Sequence, residues 1–280
     1  MPPEERADRT LQSAALALTM AGLCVVLFLV YAFVFTGLQE ARSQRALLNA
    51  YQQPNRFTLL SGKPVAEGSP VAVLEIPALG LKQVVVQGTS ATDLLKGPGL
   101  MPDTAQPGTQ GNSVIAGRRD TAGAPFSSIG SLHRGDPITV VTALGKFRYK
   151  VEGGGLVHIG ADDPISPTDS ARLTLVTSDP PLIPSGREYV TARLVTQAAK
   201  APLPTHAPSP GERGLSGDAS AFWPAVLWGL ILAGAFALTI AAYRRAPRQR
   251  WTVYLLSTPI VAACALVWFE NLIRLLPATL

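Results

Sequence analysis

The chain has 280 residues, 47% of them hydrophobic and only 15% charged, with a formal net charge of +5. That is too apolar for a disordered chain and well below the roughly 25% charge of an ordinary soluble domain. Two cysteines exclude a disulfide-dense scaffold or a structural zinc set, and 25 glycines and 24 prolines without a three-residue period exclude a collagen-like fibre.

Residues 1–10 form a short flank of mixed charge. Leu11 to Leu38 is an uncharged run, longer than the roughly 20 residues that span hydrocarbon. It is also far longer than the apolar core of a cleaved signal peptide, so it reads as a signal anchor. Residues 39–70 read as a juxtamembrane stalk, helical and solvated near the membrane, with loop and edge structure from Phe57 to Pro70.

From residue 71 to 196 the apolar period changes. Val71–Ile76, Leu81–Gly88, Asn112–Gly117, Pro137–Thr142, Lys146–Glu152, Leu173–Ser178 and Glu188–Val195 are short, β-branched and bounded by Gly, Pro, Asp or Ser. One helix interrupts them, with Thr89 or Ser90 as N-cap and Gly97 as its stop. Short strands at this spacing predict an all-β closed barrel with a short helix, large enough to bury its own core. Residues 197–220, rich in Pro, Ala and Ser, read as a tether.

Two further apolar runs, 221–243 and 251–269, predict membrane helices, three in all with the first. They are joined by a loop, 244–250, that carries Arg244, Arg245, Arg248 and Arg250 and no acid. Residues 270–280 read as a C-terminal tail. By the positive-inside rule the arginine loop is cytoplasmic. The expectation is therefore a multi-pass protein of the cell membrane, with a cytoplasmic N-terminus and an extracytoplasmic barrel. The same arginines account for much of the net positive charge. The large domain has no basic cluster interleaved with aromatics, so nucleic acid is not an expected partner. The bilayer is.

Within the barrel, the stretch from Val84 to Gly117, then Ala124–Ile129, Leu132–Thr142, Leu173–Pro180 and the strand with Arg187 follow one another in an order and spacing that resembles the sortases. These are membrane-anchored transpeptidases of Gram-positive surfaces, and the likeness is nearest to the class E type of actinobacteria. The resemblance implies a sortase-type barrel. It also implies a cysteine at the end of a TLxTC strand, which attacks the threonyl carbonyl of an LPxTG-like sorting signal. A histidine in an AGHR segment would shuttle the proton, and an arginine on the next strand would stabilise the oxyanion or position the substrate.

This chain departs at two of those positions. Ala116, Gly117, Arg118 and Arg119 stand where the family has AGHR, and Ser178 ends the strand in place of cysteine; Arg187 is retained. A serine hydroxyl needs a general base within hydrogen-bond reach, and an arginine, protonated to beyond pH ~12, is no base. His133, His158 and His206 read as surface, turn or tether residues. Asp120, Asp162, Asp163 and Asp169 are scattered, so no metal and no cofactor is expected.

The expected function is thus that of a degenerate pseudosortase binding a peptide, an envelope component or a membrane protein partner. Arg118 and Arg187 flanking Ser178 would suit an anionic ligand or a sorting-signal-like peptide. Two alternatives stand beside it: a weakly active serine-based transpeptidase or hydrolase, and a structural subunit of a membrane assembly. Arg119 reads as one of a solvated pair.

Overall fold

The computed structural model describes residues 18, 22, 24–52, 65–158, 164–180, 185–200, 217–245 and 250–279. The mixed-charge N-terminal flank, most of the expected Phe57–Pro70 loop, Asp162, Asp163, His206 and most of the tether lie outside the described residues.

Runs of β-branched residues form eight strands: β1 (Pro70–Ile76), β2 (Leu81–Gln87), β3 (Gly99–Leu100), β4 (Asn112–Ala116), β5 (Pro137–Thr142), β6 (Gly145–His158), β7 (Arg172–Asp179) and β8 (Gly186–Leu194). They close into a barrel in the order β1-β2-β3-β4-β7-β8-β6-β5, with β5 returning to β1. The pairs β2–β3 and β4–β7 are parallel and the rest antiparallel. Closure removes the sheet edges that would otherwise invite pairing with another chain.

Six of the seven strands read from sequence end within a residue or so of their expected bounds. Two features escape that reading. β3 has only two residues and begins at a glycine. β6 runs on through Gly153, Gly154 and Gly155 to His158, with a register shift between Val151 and Gly153. Glycine has no side chain to alternate, so the pattern falls silent where the strand continues. The helix falls where its N-cap predicts, as α2 (Ala91–Leu94), with the Ser90 hydroxyl accepting from the Asp93 amide at 3.2 Å.

Side-chain parity sets up the site. Leu173 and Leu175 of β7 and Ile115 of β4 point into the barrel, with Leu74, Ile76, Phe126, Ile138 and Tyr149. The alternate residues, Val176 of β7 with Val114 and Ala116 of β4, face outward. That outer face is also buried, under Ala91 and Leu94 of α2, Met101, Ile165 and Ala278. β7 is therefore covered on both sides, and its residues 173–178 are all buried.

The juxtamembrane stretch is not a solvated stalk. It forms α1 (Thr36–Gln52), continuous through a π-helical turn at Tyr31–Phe35 with helical residues from Cys24. Its charged-looking half packs on the barrel. Gln44 donates to the carbonyls of Val84 (3.0 Å) and Lys96 (2.8 Å) and accepts from the Val84 amide at 2.7 Å. Tyr51 packs on Val73 and Val84 and donates to the Val141 carbonyl at 2.9 Å. Gly97 makes room for this contact: a Cβ there would lie 2.0 Å from Gln44 Nε2, and its φ of +144° is one that side chains rarely adopt.

Two long helices follow, α3 (Phe222–Arg245) and α4 (Arg250–Leu275). Cys24–Tyr51, Ala219–Ala242 and Leu255–Leu275 are the three described segments long and apolar enough to cross a membrane. Leu230, Leu238 and Leu255 are 67%, 73% and 77% exposed, a bare apolar surface that only hydrocarbon would cover at no cost. Phe269 of α4 packs against Phe28 and Tyr31, with ring centroids 5.5 and 5.8 Å apart. α4 runs through Pro259 and past the expected end of the third run at Phe269 to Leu275, so the first residues of the expected tail are helix. The expected tether also starts later than residue 197: Ala199 is still bonded to the barrel, its amide 2.8 Å from the Gly108 carbonyl.

Candidate functional site

Ser178 is the penultimate residue of β7. Parity places it on the outer face with Val176, and register places it opposite Arg187 of β8. Ser178 is fully buried and Arg187 is 7% exposed. The segment after β4 is fastened beside them: the Gly117 amide donates to the Val176 carbonyl at 3.0 Å, and Thr177 Oγ1 donates to the Gly117 carbonyl at 2.8 Å. Gly117 has no room for a side chain, since a Cβ would lie 2.5 Å from the Phe126 ring.

Arg118 follows directly, and it does not present its charge to an open cleft. It is fully buried. One terminal nitrogen donates to Thr121 Oγ1 at 2.8 Å and the other to the Ala91 carbonyl at 3.0 Å, while Nε has no partner among the described residues. Burial pushes its pKa down to about 10, so it remains a cation at neutral pH. It can donate hydrogen bonds and hold a charge; it cannot take a proton from Ser178.

Arg119 is not the solvated residue the sequence suggests. Its guanidinium bridges the ends of two strands, bonding the Ser178 carbonyl at 2.9 Å and Glu188 at 2.6 Å, with the Asp179 carboxylate 3.4 Å away. Its backbone amide donates to the Thr279 carbonyl at 2.9 Å. The Ser178 hydroxyl donates to that same oxygen at 3.0 Å. Ala278 and Thr279 are 1% and 2% exposed. The site is thus a buried notch in which two donors converge on one peptide carbonyl.

Described histidine backbones are elsewhere. The His133 amide bonds Asp136 in the turn before β5. His158 ends β6 opposite Gly186, so β8 lies between it and β7. Two strand spacings amount to about 10 Å. Among the described residues no group of three His, Cys, Asp or Glu could hold a metal ion.

Residues 74–201 match the family described as Sortase domain. The barrel is a sortase domain. Over 84 residues the chain is 36% identical to sortase D of Bacillus subtilis, covering 30% of this chain and 41% of that protein. Over 139 residues it is 30% identical to sortase SrtE1 of Streptomyces coelicolor, covering 46% of this chain and 39% of that protein. The chain thus spans about two fifths of the length of these curated relatives. A solved sortase D5 transpeptidase of Clostridium perfringens superposes with a TM-score of 0.50 at 23% identity, over 56% of this chain and 98% of that one. That likeness concerns the fold. The sortase domain here is joined to three apolar helices, which associate it with a membrane.

Of the expected site residues, the structure brings Ser178 and Arg187 together as cross-strand partners and buries Arg118 against Thr121 and the Ala91 carbonyl. Sequence reasoning missed Arg119, whose role comes mainly from its backbone amide and from acids on two strands. It also missed the Ala278–Thr279 segment, about a hundred residues away in the chain.

Proposed function

We propose that this is a membrane-anchored, class E-like pseudosortase: a sortase domain that binds peptide and does not carry out transpeptidation. One observation carries the reading. The Ser178 hydroxyl donates its hydrogen bond among the described residues to a peptide carbonyl oxygen, and the residue in the proton-shuttle position is a buried, cationic arginine. A hydroxyl becomes a nucleophile by giving its proton to a base. Here it behaves as a donor that fixes a carbonyl, together with the Arg119 amide. The notch recognises an extended peptide through that oxygen, and Val176 of the outer face with Ala91, Leu94 and Met101 above it forms a small apolar seat beside it. Arg187, opposite Ser178, is the third residue of the site. The arginines of the 244–250 loop support an extracytoplasmic domain, so the ligand is a surface or envelope peptide.

The test is a turnover assay of the purified chain with Leu-Pro-x-Thr-Gly peptides. The wild type gives no cleavage product. Ser178→Cys alone and Arg118→His alone give none either, since each supplies half of a cooperative pair. Turnover by the wild type that disappears in Ser178→Ala would overturn the pseudosortase reading.

A further inference from the structure

We infer that the notch is a binding site for the chain's own C-terminal segment, Leu276 to Thr279, which leaves the end of α4 and lies in it as a tethered peptide ligand. The inference rests on the peptide-binding reading above and names the occupant.

Three observations carry it. First, the Thr279 carbonyl takes both donors of the site, Ser178 Oγ at 3.0 Å and the Arg119 amide at 2.9 Å. Second, Ala278 is 1% exposed and completes, with Ala91, Leu94, Met101 and Ile165, the apolar layer over Val176 beside the serine. Third, the chain is guided there. Asp218, just before α3, clips the end of α4: its amide bonds the Arg274 carbonyl at 2.7 Å and its carboxylate takes the Arg274 guanidinium at 2.5 Å. Gly217 sits against the same end, where a Cβ would lie 2.0 Å from the Leu275 carbonyl. After Leu275 the helix stops, Pro277 forbids its renewal, and the segment turns into the notch.

The sequence of the segment is Leu276, Pro277, Ala278, Thr279, Leu280. Its order, Leu-Pro-x-Thr, is that of the signals the resemblance implies, and the threonyl carbonyl is the one held by Ser178. The chain therefore carries its ligand in cis. A short tether acts at an effective concentration on the order of millimolar, so a free peptide of micromolar affinity competes poorly with it. Opening the notch then depends on α4, and a partner that pulls on that helix would free the site for a peptide in trans.

The test uses the full chain in detergent micelles, with Cys24 and Cys264 replaced by alanine and Ser178→Cys as a reporter. A charged methanethiosulfonate reagent should modify Cys-substituted position 178 slowly, and Ala278→Arg, whose side chain has no room in the seat, should accelerate modification about tenfold or more, because thiol reactivity follows access. Removal of residues 276–280 should do the same and serves if Ala278→Arg impairs folding. A fluorescent Leu-Pro-Ala-Thr-Gly peptide should bind the two opened variants and not the unaltered chain. Equal modification rates in all three proteins would overturn the tethered ligand, whatever the peptide does. Faster modification without peptide binding would leave the tail in its seat and instead sink the peptide-binding function proposed above.

Discussion

At residue scale, adjacent arginines of one dipeptide have opposite fates. Arg118 is buried without a carboxylate among its described partners, and Arg119 lies between two acids at the strand ends. An uncompensated buried cation is destabilising, and a well-packed apolar residue of similar volume commonly improves on such a charge by about 1–4 kcal/mol. Arg118→Met should therefore raise the thermal midpoint of the purified chain. The sign with pH follows from a folded-state pKa of about 10, below the ordinary 12.5. Below pH 10 both states are protonated, so the advantage of Arg118→Met should be constant from pH 6 to 9. Above that, the folded wild type loses its proton before the unfolded chain does, and the gap should narrow as pH passes 10. A wild type more stable than Arg118→Met would mean that the guanidinium is a structural tie. In the sequence, the positions of Arg118, Ser178 and Arg187 were legible only through the resemblance to the sortases. The partners of the Arg118 side chain were not, because nothing in the dipeptide says which arginine is buried against Thr121 and Ala91 and which meets the acids.

At the scale of elements, the largest departure from sequence expectation is α1. Its residues 39–52 alternate charged and small side chains and carry a weak apolar stripe, so they read as solvated. What docks them is polar: the side-chain amide of Gln44 inserted between the Val84 backbone and the Lys96 carbonyl. Hydropathy cannot see a hydrogen bond of this kind. Gln44→Ala would leave the Val84 amide and two carbonyls without their partner at a half-buried contact. An unsatisfied buried group costs about 1–3 kcal/mol. The variant should melt several degrees lower than the wild type by circular dichroism in detergent, with amide exchange at Val84 accelerated. Gln44→Glu should not rescue it, since a carboxylate can accept from the Val84 amide and cannot donate to either carbonyl. An unchanged melting point in Gln44→Ala would mean that α1 is held by Tyr51 and its apolar neighbours alone. The strands, by contrast, were readable because closure leaves each with a β-branched pattern. Only β3 and the glycine stretch of β6 lacked side chains to read.

At the scale of the whole molecule, the C-terminal half of α1 is docked on the barrel by Gln44 and Tyr51, and the end of α4 is clipped at Arg274 to Asp218 just before α3. The tail of α4 then enters the site. α3 and α4 run 24 and 26 residues away from that side. At 1.5 Å per residue α3 is about 36 Å long, a full hydrocarbon thickness. A single crossing by α3 would put barrel and loop on opposite faces of the membrane, whichever way the chain is inserted. Arginine loops are retained on the cytoplasmic face. A single cysteine introduced at Gln249, in a background lacking Cys24 and Cys264, should therefore react with an impermeant maleimide only after cells are permeabilised. One introduced at Lys146, an exposed residue at the start of β6, should react in intact cells. Labelling of both sites from outside would mean that α3 and α4 do not cross, and would detach the tail from a membrane-held helix. Labelling at Gln249 alone would invert the protein and place the peptide notch in the cytoplasm.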